Sequence, residues 1–290
     1  MPQRYIGTHP VSPIGLGAMP MSIEGRPDQA RSVRTIHAAL DAGITLIDTA
    51  DAYYRAGEPP GHNEELIAKA LKTYPGDTSA VLVATKGGHY RSADGGWPVD
   101  GRPRRLIDAA KASCSRLGVE AIGLYQFHRP DPDVPFAESI GALRQLLDEG
   151  VILAAGVSNV DAEQITEARI LLGRDLVSVQ NQFSPTFREG AETLFVCAEL
   201  GLAFLPWRPL GGLSYDRDDV AIAPFAAMAE RHRVSTAAMI LAWLQAQGPN
   251  VIPIPGSTRP ETILDSLSSV GVRLSEDELA ALDSSSTAAP

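Results

Sequence analysis

The stretch ITLIDTA at residues 44–50 is a short apolar run that ends on polar side chains, among them Asp48. The same pattern returns in VLVATKGG at 81–88 and in LYQFHR at 124–129. Short runs rich in branched apolar residues are typical of strands that are buried on both faces, as in parallel sheets. Because polar residues follow each run, we expect the chemistry at the carboxyl ends of these strands.

Further runs of this kind alternate with helical patterns along the chain. The candidate strands lie at 14–19, 44–50, 81–88, 122–128, 153–159, 176–183, 202–209 and 250–257. Between them apolar residues recur at helical spacing, as in the stripe from Val33 to Leu40 that ends at Gly43. Regular alternation without a Ser/Gly/Pro-rich linker predicts an α/β fold, a (β/α)8 TIM barrel that forms one domain over residues 1–290.

Two short segments, 4–8 and 11–14, precede the first candidate strand and are joined by His9-Pro10. We interpret them as an N-terminal β-hairpin that closes the bottom of the barrel. The competing α/β architecture is a doubly wound dinucleotide-binding sheet, which needs three glycines between its first strand and helix. In GLGAMP at 15–20 a proline occupies the place of the third glycine, so the pattern favours the barrel.

The composition excludes several classes of function. With 35 acidic and 25 basic residues the net charge is −10, which repels phosphate backbones and argues against a nucleic-acid partner. No apolar stretch reaches the roughly 18 residues of a membrane helix, and the N-terminus lacks the apolar core of a signal peptide. The two cysteines, Cys114 and Cys197, lie in helical patterns as small core residues. We therefore predict a cytoplasmic protein without a membrane partner and leave its oligomeric state open.

Asp48, Tyr53, Lys86 and His128 would converge at the mouth of such a barrel. Taken singly they read as a helix cap, a half-buried aromatic, a loop lysine and a core histidine. Together they suit protonation of a carbonyl oxygen while hydride reaches its carbon. We expect Lys86 to lower the pKa of Tyr53 and Asp48 to compensate the buried ammonium. A neutral His128 would orient the carbonyl oxygen and stabilise its developing charge.

A metallohydrolase barrel is the rival interpretation, because Asp48, His62, His89 and His128 are candidate ligands. The chain lacks an HxH or HExxH pair, and Lys86 would add an unfavourable positive charge. His62 lies at a predicted helix start and His89 in a loop, so capping or solvation explains them. We predict no metal.

The sequence resembles the aldo-keto reductase family nearly from end to end. The similar motifs are GLGAM, DAGITLIDTADAYY, GHNEELIAKAL, ATKGG, YQFHRPD, GVSN, VQNQFS, PLGG and VIPIPGSTRPE, in the family's order and spacing. The resemblance places the family's catalytic tetrad on Asp48, Tyr53, Lys86 and His128. It implies NADPH-dependent reduction of an aldehyde or ketone to an alcohol, with Tyr53 as the general acid. The alternative is a cofactor-binding, redox-sensing regulatory subunit with little turnover.

The resemblance also implies a nicotinamide cofactor extended across the barrel mouth. The implied cofactor residues are Thr49, Ser158, Asn159, Gln180, Trp207, Arg208, Leu210, Gly211, Gly212, Gly256, Ser257, Arg259 and Asp265. For Ser158 and Asn159 the alternative is a turn or helix cap. Trp207 stands where the family usually has a tyrosine and can stack equally well. Arg259 would contact the 2′-phosphate and therefore favours NADPH. Alternatively, Arg259 is a solvated residue at the start of a helix, so NADH is also possible.

The substrate, a small carbonyl compound, is not specified by the sequence. We expect Tyr90 and Trp97 in the loop 89–103, and Met19 in the first βα loop, to line its pocket. The alternatives are packing of Trp97 against the barrel rim and irregular core packing of Met19.

Overall fold

The computed structural model describes residues 2–211 and 221–284, within which an antiparallel pair of strands precedes a seven-stranded parallel sheet. The strands are β1 (Arg4–Ile6), β2 (His9–Val11), β3 (Leu16–Gly17), β4 (Leu46–Asp48), β5 (Leu82–Gly87), β6 (Leu124–Phe127), β7 (Ala155–Ser158), β8 (Leu176–Gln180) and β9 (Ala203–Phe204). The helices are α1 (Gln29–Asp41), α2 (His62–Thr73), α3 (Pro103–Leu117), α4 (Phe136–Asp148), α5 (Ala162–Leu172), α6 (Ala191–Leu200), α7 (Ala223–His232), α8 (Thr236–Ala246), α9 (Pro260–Ser268) and α10 (Glu276–Ser284).

The parallel sheet runs in chain order from β3 to β9, and the eighth predicted run closes it into a barrel. On one side Ile252 donates to a carbonyl of β9 at 2.8 Å. On the other side Gly15 and Gly17 donate to the carbonyls of Pro253 and Pro255, both at 2.9 Å. These prolines have no N–H to return to β3, so the run makes only isolated bridges instead of the strand predicted at 250–257. The predicted (β/α)8 barrel is nevertheless confirmed.

The strands are shorter than the apolar runs that predicted them. The run 14–19 contracts to β3 and the run 202–209 to β9. Ile14 and Leu205, which belong to these runs, are fully buried although they lie outside the assigned strands. Burial of apolar side chains therefore extends beyond the regular hydrogen-bond ladder, and the hydrophobic pattern overestimates strand length.

The N-terminal hairpin forms, but its turn was predicted two residues too late in the chain. Ile6 pairs with His9, which places the turn at Gly7-Thr8 instead of His9-Pro10. Gly7 has a φ of +59°, a left-handed conformation that favours glycine. Pro10 is accommodated because it lies in a two-stranded ribbon that presents free edges.

The hairpin closes the amino-terminal end of the barrel, as predicted. Ile6 and Val11 are buried among the apolar residues inside the barrel, including Leu46 of β4. The backbone N–H of Ser12 donates to Thr45 Oγ1 at 2.9 Å, just before β4 begins. The opposite end of the barrel is therefore the open one.

The second apolar layer lies between the strands and the surrounding helices. In β6, Leu124 belongs to the barrel interior, whereas Tyr125 packs outward against the helices. Cys197 lies in this outer core, and both cysteines are free thiols. The most apolar helix, α8, has 11 residues, and no helix in the described part of the chain combines the length and apolarity needed to cross a bilayer.

Candidate active site

The four predicted catalytic side chains come from adjacent strand ends. Asp48 is the last residue of β4, Lys86 is the penultimate residue of β5, and His128 directly follows β6. Tyr53 lies in the loop between β4 and α2. Because the carboxyl ends of parallel strands meet at one mouth, the four side chains are brought together there.

Lys86 is the centre of the cluster and is completely buried. Its ammonium donates to Asp48 Oδ2 at 2.7 Å, to the carbonyl of Thr49 at 2.8 Å and to Tyr53 Oη at 3.2 Å. These three acceptors use the three hydrogens of the ammonium, so the buried cation is fully hydrogen-bonded. Gln180 Nε2 donates to the other carboxylate oxygen of Asp48 at 2.7 Å and fixes its orientation.

The net pKa direction of Tyr53 differs from the sequence-based expectation. Burial raises the pKa of Tyr53 above its ordinary value of 10.0, and the opposing effect of Lys86 does not cancel it. Burial alone would lower the pKa of Lys86, but Asp48 and Tyr53 raise it above the ordinary value. The sequence identified the charges correctly but not the cost of desolvating the phenolate. At neutral pH the site therefore holds a protonated phenol beside a charged ammonium.

His128 is neutral, as the proposed chemistry requires. Burial, reinforced by the charge of Lys86, holds the pKa of His128 well below its usual range. Its ring meets the ring of Tyr53 edge to face, with centroids 5.8 Å apart. Its Nδ1 is buried without a hydrogen-bond partner among the described residues. The phenol and the imidazole thus lie side by side at the mouth.

His89 is a site residue that sequence reasoning missed, because it was read as a solvated loop histidine. It is only 8% exposed, and its ring centroid lies 4.5 Å from that of His128 and 6.4 Å from that of Trp97. Burial lowers its pKa, so a neutral ring donates from Nδ1 to the carbonyl of Pro98 at 3.0 Å. Among the described residues, no three His, Cys, Asp or Glu side chains are grouped so that they could hold a metal ion.

Not all of the predicted substrate residues lie at the tetrad. The ring of Trp97 meets the ring of Tyr53 edge to face at 6.2 Å, directly beside the tetrad. Tyr90 instead lines a neighbouring cavity of about 520 Å³ with Asp100, Asp131 and other residues outside the tetrad. Met19 is half-buried in the turn after β3. The structure therefore brings Trp97, and not Tyr90, to the tetrad.

Ser158, Asn159 and Gln180 form a hydrogen-bonded group that adjoins the tetrad. Ser158 Oγ donates to the carbonyl of Gln180 at 2.6 Å, and Asn159 Nδ2 donates to the carbonyl of His128 at 2.9 Å. Asn159 has a φ of +59°, a conformation that asparagine tolerates better than most residues. Ser158 is the last residue of β7, Asn159 lies in a bend, and the N-cap of α5 is Asp161, so neither residue serves as a helix cap and both carry polar side chains to the barrel mouth.

The segment after β9 contains an aromatic ring and two residues with positive φ angles. Trp207 is half-buried, and its Nε1 is enclosed without a hydrogen-bond partner among the described residues. Arg208 is exposed with a φ of +47°, and Gly211 has a φ of +81°. Leu210 packs against the outer core. Gly212, also predicted to contact cofactor, lies outside the described residues.

Arg259 lies exposed at the start of α9 and is a candidate anion ligand. Within the described ranges its guanidinium has no hydrogen-bond or ion-pair partner. Ser257 is buried and donates from Oγ to the carbonyl of Arg259 at 2.9 Å. Asp265 is exposed and accepts from Ser235 Oγ at 2.6 Å. The positive charge of Arg259 is therefore available to a ligand.

Two other predicted cofactor residues are Thr49, which directly follows β4, and Gly256, which lies beside β3. Thr49 is buried, and its hydroxyl donates to Asn63 Oδ1 at 2.6 Å, so that hydroxyl is already engaged within the protein. Gly256 is exposed and bridges to Gly17 of β3. A Cβ at Gly256 would lie 2.9 Å from the ring of Pro20, so the close approach of these segments requires glycine.

A sequence model of the aldo/keto reductase family matches residues 13–287. The chain belongs to the aldo/keto reductase family. It is 31% identical over 282 residues to an uncharacterized oxidoreductase of Schizosaccharomyces pombe, an alignment that spans 96% of this chain and 88% of the relative.

Solved structures agree with this membership. A thermostable aldo-keto reductase, Tm1743, solved with the inhibitor epalrestat, matches with a TM-score of 0.83 and 27% identity over 98% of this chain and 100% of its own. Glycerol dehydrogenase AKR11B4 from Gluconobacter oxydans matches with a TM-score of 0.83 and 30% identity. The match covers 98% of this chain and 94% of the dehydrogenase chain. The family recognised from sequence is confirmed, and it supports carbonyl reduction as the general class of reaction of this aldo/keto reductase.

This aldo/keto reductase also buries two further carboxylates, Asp51 and Glu64, next to the tetrad. Asp51 is 3% exposed, and its Oδ1 has no hydrogen-bond partner among the described residues. The neighbouring Glu64 is bound by Thr85 and Arg116. Burial, followed by the charge of Glu64, raises the pKa of Asp51 to about 7. Asp51 therefore stays partly protonated at neutral pH.

Replacing Asp51 by asparagine is expected to stabilise the protein at neutral and alkaline pH. In the unfolded chain the carboxyl ionises near pH ~3.9, whereas in the folded protein it ionises near pH 7. The folded wild type therefore loses stability relative to Asp51→Asn as the pH rises from about 4 to about 7. The difference should level off above that range, at up to ~4 kcal/mol.

Thermal unfolding of both proteins between about pH 4 and pH 9 measures this difference. Asp133→Asn, which removes a carboxylate at an exposed position, is the matched control and should change Tm only slightly. A pH-independent difference for Asp51→Asn would show that the carboxyl does not carry the raised pKa.

Proposed function

We propose that the chain is an NADPH-dependent carbonyl reductase that converts an aldehyde or ketone to an alcohol, with Tyr53 as the general acid. The observation that supports this most is the contact between a fully buried ammonium, Lys86 Nζ, and the phenol oxygen of Tyr53 at 3.2 Å. A lysine buried at such a cost, with Asp48 as its ion-pair partner, is more readily explained by chemistry than by stability.

Tyr53 holds the proton that the substrate oxygen receives. Its raised pKa keeps that proton on the phenol until the carbonyl oxygen becomes negative. When the proton leaves, the phenolate forms next to the ammonium of Lys86, which stabilises it in a site that excludes water. Asp48 and the carbonyl of Thr49 keep the ammonium in place through this change of charge.

His128 orients the substrate oxygen toward the phenol. As a neutral imidazole it carries one N–H that can donate to a carbonyl oxygen, and it does not compete with Tyr53 as a strong acid. Its ring lies against Tyr53 on one side and against His89 on another. The imidazole therefore helps to hold the carbonyl in one pose while the proton is transferred.

The residues of the mouth fit a dinucleotide that carries a phosphate. In the part of the chain that the structure describes, neither the guanidinium of Arg259 nor the ring N–H of the half-buried Trp207 has a hydrogen-bond partner. Ser158, Asn159 and Gln180 would hold the carboxamide end. When bound, the reduced nicotinamide supplies the hydride that the carbonyl carbon receives.

A steady-state assay tests the proposal. The purified protein is incubated with NADPH or NADH and with aromatic aldehydes, methylglyoxal and other small carbonyl compounds, and loss of nicotinamide absorbance is followed. The enzyme is expected to complete many turnovers with at least one carbonyl compound. Cofactor binding without turnover across the set would instead favour the redox-sensing regulatory subunit.

Replacing Arg259 by serine is expected to weaken NADPH binding and leave NADH binding unchanged. A charge-assisted hydrogen bond contributes about 1.5–3 kcal/mol, which corresponds to a roughly 10-fold to 100-fold increase in Kd. Quenching of protein fluorescence by each cofactor measures both constants. Arg273→Ser, an exposed arginine beyond the other end of α9, is the control. An equal loss for both cofactors would mean that Arg259 does not distinguish the phosphate.

A further inference from the structure

The loop between β5 and α3 is folded back on itself over the barrel mouth. His89 and Val99 form an antiparallel bridge, and the N–H of Tyr90 donates to the carbonyl of Pro98 at 3.1 Å. This pairing carries Trp97 to the side of the loop that faces Tyr53. The position of Trp97 is therefore set by the fold of the loop.

Arg91 packs on Trp97 from within the same loop. Its side chain is only 3% exposed, and its guanidinium carbon lies 4.1 Å from the centroid of the Trp97 ring. Nη1 donates to the carbonyl of Gly95 at 2.6 Å. A desolvated guanidinium over an indole is among the more favourable cation–π contacts. Arg91 thus restrains both the ring and the turn that precedes it.

Arg91 also joins this loop to two neighbouring loops. Its Nη2 pairs with Glu24 in the loop after β3 at 2.5 Å. Its backbone N–H donates to Tyr54 Oη, in the loop after β4, at 2.9 Å. Glu24 in turn accepts from the N–H of Ala56 at 3.0 Å. The loops after three consecutive strands therefore meet at one arginine.

The restrained ring leaves a surface for substrate. Trp97 is 38% exposed, and its ring stands nearly perpendicular to those of Tyr53 and His89. Binding is most favourable when a flat apolar group covers such an exposed indole ring. A wall that is already ordered does not lose conformational freedom on binding, so its contact contributes fully to affinity.

We propose that Arg91 is a positioning residue that holds Trp97 as a preformed wall beside Tyr53, and that this wall selects carbonyl compounds carrying an aromatic ring. The inference rests on the proposed reduction at Tyr53. Arg91 does not touch the reacting atoms, so it acts on substrate binding through Trp97. Small hydrophilic carbonyl compounds, which do not cover the indole, gain little from the wall.

Arg91→Met, which removes the charge and keeps the length, is compared with wild type for benzaldehyde and for methylglyoxal. We expect KM for benzaldehyde to rise about tenfold, with kcat and the KM for methylglyoxal within about twofold. Trp97→Leu should reproduce the rise, and the double variant should show no further rise. Arg102→Met, in the same loop with an exposed ion pair, is the control and should resemble wild type. An additive double variant, or equal losses for both substrates, would overturn the proposal.

Tryptophan fluorescence gives a readout that does not depend on turnover. The chain has three tryptophans, and subtracting the emission of Trp97→Phe isolates that of Trp97. In the Arg91→Met background, the Trp97 emission isolated in the same way should shift to longer wavelength and should be quenched more strongly by acrylamide. Unchanged emission would contradict the proposal that Arg91 holds Trp97 in place. If Arg91→Met does not fold, Glu24→Gln, which removes the charge that pairs with Arg91 but keeps an oxygen that can accept from Ala56, should shift both readouts in the same direction. Absence of carbonyl reduction by the wild type would instead refute the proposed function.

Discussion

Tyr53→Phe is expected to lower kcat for carbonyl reduction by about 10³-fold while the Kd for NADPH stays within about twofold. A positioned general acid typically contributes 10²–10⁴-fold. Phenylalanine keeps the ring that packs against His128 and Trp97, so the site should retain its shape. Only the hydroxyl, which lies next to Lys86 and holds the proton that we propose is transferred, is removed. Single-turnover kinetics with saturating NADPH and an aldehyde measures the effect.

Tyr125→Phe is the matched control for this variant. Tyr125 is also a buried tyrosine, and its hydroxyl donates to the carbonyl of Leu106 at 3.2 Å, away from the barrel interior. Loss of that hydrogen bond should reduce stability by about 1 kcal/mol without changing kcat. A kcat for Tyr53→Phe within about tenfold of wild type would exclude Tyr53 as the general acid.

Lys86→Met is expected to affect both rate and stability. Methionine has a similar length but leaves the Asp48 carboxylate buried with Gln180 Nε2 and no cation. Removing one partner of a buried ion pair typically costs about 3–5 kcal/mol. The phenolate that forms on Tyr53 would also lose its stabilising charge, and we expect kcat to fall at least about 10²-fold. Denaturant unfolding and steady-state kinetics on the same preparation measure the two effects.

The double variant Asp48→Asn/Lys86→Met separates the catalytic role from the structural one. Neutralising Asp48 removes the unpaired charge, so most of the lost stability should return. The rate should not return, because no cation lies beside Tyr53. Recovery of kcat together with stability would show that Lys86 serves the fold and not the proton transfer.

The convergence of the strand-end side chains was predictable because its signal is local. Asp48, Lys86 and His128 each stand at or next to the end of an apolar run, and parallel strands bring such ends together whatever the details of packing. Tyr53 lies further along its loop, and it was grouped with the other three because the four side chains together suit protonation of a carbonyl oxygen. The apolar run at 250–257 was wrongly predicted to be a regular strand. Its side chains are buried as in a strand, but Pro253 and Pro255 interrupt its hydrogen bonds.

The substrate side of the site was predictable only in part. His89 and Tyr90 are consecutive residues of one loop, yet His89 packs against His128 whereas Tyr90 lines another cavity. The two side chains point to different places because His89 forms a bridge with Val99, and no periodic pattern in the sequence predicts that bridge. Nothing in the sequence distinguished Arg91 from other residues of the loop, because its partners lie in other loops.

The amino-acid sequence by itself determined the order of the strands, the barrel and the residue types at its mouth, because these depend on apolar periodicity and on the residues next to it. Only the tertiary structure decided the protonation balance of Tyr53, since desolvation depends on every group that encloses the phenol. It also decided which aromatic ring faces the tetrad, because the loop's conformation is set by contacts with Glu24 and Tyr54, residues distant in the chain.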